Sequence, residues 1–265
     1  MKKNLIFSIV CSLLLMWGCS KDDSASSSTI QDNLQRGNIV KATHWIEGKS
    51  SAYSPEYISY DQAGRVTEYG DYQFFYNGNT LRITDHGYDW INAKTNSNGY
   101  VVEMVEKSLG EPRSYQYTFS YDSSGRIKSY TRKWTRTTTI GNFTWENGNL
   151  VAINETESDI EEGTSTNKTQ IRYKDVECNM NIDLVGLFVL TSYKAYSLTV
   201  LAQIGFLGRF SIDIPESSYQ VYTYAGGDYQ ESDSEQYDYE IDNEGKIVGI
   251  RFADAPNCGW DILYE

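Results

Sequence analysis

Along most of the chain, apolar and aromatic residues alternate with polar ones at a period of two, the signature of half-buried β-strands. The clearest stripe is Tyr115, Tyr117, Phe119 and Tyr121, with Gln116, Thr118 and Ser120 between them. Similar stretches run through Ile39–Ile46, Tyr57–Tyr60, Val66–Tyr69, Tyr72–Tyr76 and Val101–Val105. Compact turn phrases separate them. Tyr60-Asp61-Gln62-Ala63-Gly64-Arg65-Val66 returns as Tyr121-Asp122-Ser123-Ser124-Gly125-Arg126-Ile127, and more loosely as Ile241-Asp242-Asn243-Glu244-Gly245-Lys246-Ile247. Asp suits the opening of such a turn because its carboxylate accepts a backbone N–H two residues on; Gly suits the close, where φ is positive. Asn77-Gly78-Asn79, Asn98-Gly99 and Asn147-Gly148-Asn149 are further hairpin tips. The tip glycines at 64, 78, 99, 125 and 148 are 14, 21, 26 and 23 residues apart, about two strands each. The pattern predicts an all-β chain: an antiparallel meander forming a curved sheet or barrel over residues 38–265.

Two stretches break the alternation. Glu155–Lys168 is polar and acidic in both phases and reads as a long loop. Leu184–Phe210 is apolar, and Leu198, Val200, Leu201, Ile204 and Leu207 approximate helical spacing. A short buried helix near 197–206 is expected, ended by Gly205 and Gly208. Lys194 interrupts the apolar run, which argues against a membrane span. Strands are expected again at Ile171–Ile182, Tyr219–Tyr224, Tyr237–Ile241 and Lys246–Phe252, with Asp261–Tyr264 closing the sheet.

The Tyr-Asp-x-x-Gly-Arg phrases resemble the YD repeats of large bacterial surface and toxin shells. Residues 38–265 as a whole resemble a family of Bacteroidota lipoproteins with a porin-like β fold. The carrying residues are the hairpin phrases, the segment Ile204-Gly205-Phe206-Leu207-Gly208-Arg209 leading to Ile214-Pro215, and the late hairpin at Asp242–Ile247. This resemblance implies fold and location but no activity.

The N-terminus reads as an address. A basic start (Lys2, Lys3), an apolar run from Leu5 to Trp17, and Gly18-Cys19 resemble a bacterial lipoprotein signal, with residues 1–18 removed and Cys19 acylated, palmitate included. Ser20-Lys21-Asp22-Asp23 resembles the acidic surface-export tag of Bacteroidota-type lipoproteins. Residues 19–37, rich in serine, read as a flexible tether. The resemblance implies an outer-membrane, surface-exposed location, with the membrane as a partner through the lipid anchor alone.

Charge narrows the partners further. The whole chain carries −13 at pH 7; losing Lys2 and Lys3 leaves 21 basic against 36 acidic residues, or −15. A nucleic-acid partner is excluded on that balance, since phosphate binding needs clustered Lys and Arg.

Candidate chemistry is sparse. Cys178 and Cys258 remain after the signal and anchor cysteines are set aside, and in an oxidising compartment they are a candidate disulfide. The two histidines, His44 and His86, sit in no metal-ligating motif, and no nucleophile elbow or phosphate loop occurs. No catalytic residue, cofactor or metal site is assigned. The acidic run Asp228, Glu231, Asp233, Glu235, Asp238, Glu240 and Asp242 lacks calcium-loop spacing and reads as a solvated hairpin loop. Trp90 and Trp134, each in polar surroundings, are candidate ligand-facing aromatics, set against the alternative that they form cross-strand pairs within the sheet. Three functions stay open: a non-catalytic surface module binding a glycan or an envelope protein, a structural component of an outer-membrane complex, and a glycoside hydrolase with an unidentified carboxylate pair.

Overall fold

The computed structural model describes residues 39–46, 56–107, 114–178, 196–209, 211–227, 229–253 and 255–264. They form a closed barrel of sixteen antiparallel strands, each paired with its neighbours in sequence, with β1 (Ile39–Ile46) pairing β16 (Ala255–Tyr264) to close the ring. The expected meander is therefore a barrel. The signal, Cys19 and the tether lie outside the described residues.

The tips glimpsed in the sequence all fall at one end. Strands run alternately toward and away from it, so every second turn is there, which explains the two-strand spacing of the glycines. Asp61, Asp122 and Asp242 each accept two backbone N–H groups on Oδ1, from the residues two and four positions on, at 2.8–2.9 Å. Asn96 does the same for Asn98 and Tyr100, a fourth copy disguised by the amide. The cation closing each phrase lies over an aromatic ring from the second strand along: Arg65 over Tyr76, Arg126 over Trp145, Lys246 over Tyr264.

A second repeat explains the tyrosines. Near the end of nearly every even-numbered strand, an inward aromatic donates a hydrogen bond to a carbonyl at the start of the strand before it. Tyr60 of β2 (Glu56–Tyr60) reaches Ile39 O at 2.9 Å, Tyr76 of β4 (Tyr72–Asn77) reaches Val66 O at 2.8 Å, and Tyr121 of β8 (Ser114–Tyr121) reaches Val101 O at 2.6 Å. Trp145 Nε1 of β10 (Thr137–Glu146), Tyr173 of β12 (Gly163–Glu177), Tyr239 of β14 (Gln230–Ile241) and Tyr264 of β16 continue the series at 2.7–2.8 Å. In β6 (Tyr88–Thr95), Thr95 takes the place of the aromatic and reaches Asn79 O at 3.3 Å. The barrel is thus eight hairpins, each locked by one side-chain donor. Burial pushes the pKa of Tyr76, Tyr121, Tyr239 and Tyr264 upward, so these phenols stay neutral donors.

The helix α1 (Tyr196–Gln203) lies inside the barrel at this same end. Ser197 to Ala202 are all buried, which a helix achieves only when surrounded. It ends as expected: Gly205, at φ 81°, donates to Ala202 O and Phe206 to Leu201 O, a Schellman cap. The following chain adds to the wall, with Val101 N donating to Phe206 O and Arg209 N to Gly125 O. Gly208 is required here: a Cβ would meet Gly125 O at 2.6 Å, and φ is 103°. This segment plugs the barrel, and the apolar core is continuous around it.

Outward, the strands are polar. Gln116, Thr118 and Ser120 of β8, Asn142 and Thr144 of β10, and Lys168, Gln170 and Arg172 of β12 are all exposed. Exposed apolar residues such as Phe75, Ile140 and Leu263 are scattered among them.

Two expectations are corrected. Glu155–Lys168 is not a loop: it belongs to β11 (Asn149–Asp159) and β12, joined by a tight turn. The acidic run likewise lies mostly on β14 rather than in a loop. Both were misread because the strands are polar on the inner as well as the outer face.

Candidate functional site

The eight hairpins align at the plugged end, so differences in strand length appear at the other. β2 to β5 (Thr80–Asp85) have 5, 4, 6 and 6 residues, whereas β10 to β14 have 10, 11, 15, 11 and 12. The long strands carry a polar inner wall arranged in lateral rows.

One row runs in register across six strands: Tyr130 of β9 (Ile127–Lys133), Gly141, Glu155, Asn167, Tyr222 of β13 (Asp213–Thr223) and Glu231. Gly141 has to be glycine, because a Cβ there would overlap the Tyr130 ring. Across that gap the Tyr130 hydroxyl donates to Glu155 Oε1. From the other side Asn167 Nδ2 donates to Glu155 Oε2 at 2.8 Å. Burial, then the Glu155 charge, pushes the Tyr130 pKa well upward.

The adjacent row holds Arg132, Thr139, Glu157 and Ser165. Arg132, only 5% exposed, donates to Glu157 at 2.9 Å and to Thr139 Oγ1 at 3.2 Å. Burial lowers its pKa, but the facing Tyr117, Tyr130 and Glu157 outweigh that and the net shift is upward. A third carboxylate, Glu106 of β7 (Val101–Lys107), accepts from Tyr117 at 2.6 Å and from Ser197 of the plug at 2.8 Å.

Glu155 and Glu157 stand side by side on one strand, about 7 Å apart along it. They do not face each other across a cleft, and each is engaged by two donors. The arrangement fits fixed acceptors for hydrogen-bond donors better than the acid and base of a glycosidase. Toward the lip the inner face turns aromatic: Tyr224 and Tyr229 both donate to Glu231 at 3.0 Å, and their rings lie 5.2 Å apart.

The expected aromatics divide. Trp90 is turned inward and stacks on Tyr72 at 4.9 Å, so it offers no ligand face. Ile83 pairs with Ile91 and Thr84 with Asp89, so Trp90 is the extra residue of a bulge in β6, and Ile83, Thr84, Trp90 and Ile91 are all buried. Trp134 stands half-buried at the long-strand end, its ring 6.1 Å from that of Tyr115. Cys178 is a buried free thiol in this structure; the Cys258 side chain of the candidate disulfide lies outside the described residues. His44 pairs with Trp260 through the backbone, and its side chain is likewise outside them. His86 makes a turn at φ 47°, bonded to Asp85 at 2.6 Å, and that bond raises its pKa. Among the described residues no three His, Cys, Asp or Glu side chains come together as a metal site.

Solved structures show the same architecture. A porin-like protein from Bacteroides vulgatus superposes with a TM-score of 0.67 at 14% identity, covering 86% of this chain and 98% of its own. A porin-like protein from Bacteroides uniformis gives 0.60 at 15% identity, covering 86% and 96%. The fold is porin-like. No family model and no curated protein matches the chain.

The porin-like barrel differs from a membrane pore in its faces. A membrane-spanning barrel presents an apolar band about 25 Å tall to lipid and a polar lumen. Here the outer face is polar, and the lumen at the plugged end is aromatic and filled. Among the described residues no helix is long and apolar enough to cross a membrane.

Proposed function

We propose that the protein is a non-catalytic outer-membrane lipoprotein, anchored through acylated Cys19 and surface-exposed, whose porin-like barrel stands in water and binds a ligand. The observation that carries this reading is the inverted barrel: polar side chains outward, a plugged aromatic core within, and a polar wall on the long strands. Such a wall serves recognition, because its donors and acceptors are held on rigid strands rather than on loops.

Three experiments test it. Residues 20–265, expressed without the signal, will be monodisperse in buffer without detergent and silent in planar-bilayer conductance. A requirement for detergent, or channel currents, would make it a membrane barrel instead. Cys19→Ala will move the protein from the membrane fraction to the soluble fraction; unchanged membrane attachment would remove the lipoprotein reading. Ligand binding is read on a broad glycan array, with cross-linking in intact cells to reveal an envelope-protein partner.

A further inference from the structure

The first row described above continues beyond the buried glutamate. Asn167 is 7% exposed, and its amide is oriented without ambiguity: Glu155 accepts only, so Nδ2 must face it and Oδ1 must point away. That Oδ1 is buried and has no hydrogen-bond partner. A buried amide acceptor left unpaired is costly, and a site that keeps one supplies a place for a donor to arrive. On the side away from Glu155, the row leads through Tyr222 and Glu231 to the exposed pair Tyr224 and Tyr229. Both exposed phenols are tied to Glu231, which fixes the rings with one edge held. From β11 to β14 this track spans about 14 Å, three strand spacings.

Charge selects the ligand. The inner faces of β11 and β14 carry Glu155, Glu157, Glu231, Asp233 and Glu235; of the cations here, Arg132 is committed to Glu157, and Arg136 at the lip to Asp159 and Glu161. An anionic chain would be repelled, whereas hydroxyl groups donate to carboxylates and to Asn167 Oδ1 without a charge of their own. Resting on the ligand-binding reading above, we propose that the inner face of β11–β14 binds a neutral oligosaccharide, with a sugar hydroxyl donating to Asn167 Oδ1 and a pyranose face lying on Tyr224 and Tyr229.

The test is calorimetric titration of the purified full chain with neutral hexasaccharides (malto-, cello-, xylo- and manno-) and with hexagalacturonate. A neutral member binds; Asn167→Ala weakens it about tenfold and Tyr229→Ala, at an exposed position that carries no fold, about fivefold. Affinity within twofold of wild type in both variants would place the sugar elsewhere and overturn the track while leaving a glycan-binding protein. Preference for hexagalacturonate would overturn the neutral class. No binding by any sugar would remove the track and the glycan reading together, leaving the protein-ligand reading intact.

Discussion

At the plugged end of the barrel, a series of inward aromatic donors satisfies backbone carbonyls of the chain itself: Tyr60, Tyr76, Tyr121, Trp145, Tyr173, Tyr239 and Tyr264. At the long-strand end, Tyr117, Tyr130, Arg132, Tyr224 and Tyr229 bond carboxylates instead. The same residue type therefore does different work at the two ends. A phenol on a carbonyl locks a hairpin and leaves nothing over. A phenol on a carboxylate holds a charged, multi-acceptor group in place, and that group still has capacity for a visitor.

The largest expected effect tests the buried phenols of both ends together. Tyrosines raised above their usual pKa of 10 keep their protons when folded and lose them when unfolded. Stability is thus fully present below pH 10 and falls as pH rises from there toward the folded values, by about 1.4 kcal/mol per pH unit for each such tyrosine. With Tyr76, Tyr117, Tyr121, Tyr130, Tyr237, Tyr239 and Tyr264 all raised, tyrosinate absorbance and loss of circular dichroism should rise in one steep transition. Gradual ionisation with the dichroism intact would mean the phenols are not buried.

Next in size, Arg132→Met should cost about 3–5 kcal/mol in urea unfolding, because the Glu157 charge loses the buried cation that faces it; adding Glu157→Leu should restore most of it. A small loss in the single variant would show that the wall is wetter than its geometry implies. The glycines compare the ends directly. Gly208→Ala, at φ 103° against the Gly125 carbonyl, should cost roughly 3 kcal/mol. Gly226→Ala, at φ 94° in the β13–β14 turn with nothing within 4 Å, should cost only about 1 kcal/mol. Equal losses would remove the plug contact as the cause. Smallest, Tyr121→Phe should lower stability by about 1 kcal/mol and Tyr224→Phe by less than about 0.5 kcal/mol.

Much of the plugged end was legible in the sequence, because it is built from local signals. Asp-x-x-Gly turns, Asn-Gly tips and period-two stripes each act within a few residues, and the helix carried its own stop at Gly205. What stayed hidden was lateral. That Tyr121 locks to Val101, or that Asn96 stands in for Asp, depends on the facing strand. Glu155–Lys168 passed for a loop because hydrophobic periodicity vanishes when both faces of a strand are polar. The orphaned Oδ1 of Asn167 is fixed by Glu155, twelve residues away in sequence, and no spacing rule reports which way an amide turns. Trp90 is itself the extra residue of a bulge, which no composition reveals.

The point of closure fixes where the chain enters the barrel. Ile39, the first residue of the barrel, pairs with Tyr264 beside the plug, so the segment leading in from Cys19 joins at the sealed base. Under the proposed anchor at Cys19, a barrel moored there would stand on that base like a cup on its foot, with the Tyr224 and Tyr229 rim farthest from the bilayer and first to meet whatever diffuses toward the cell.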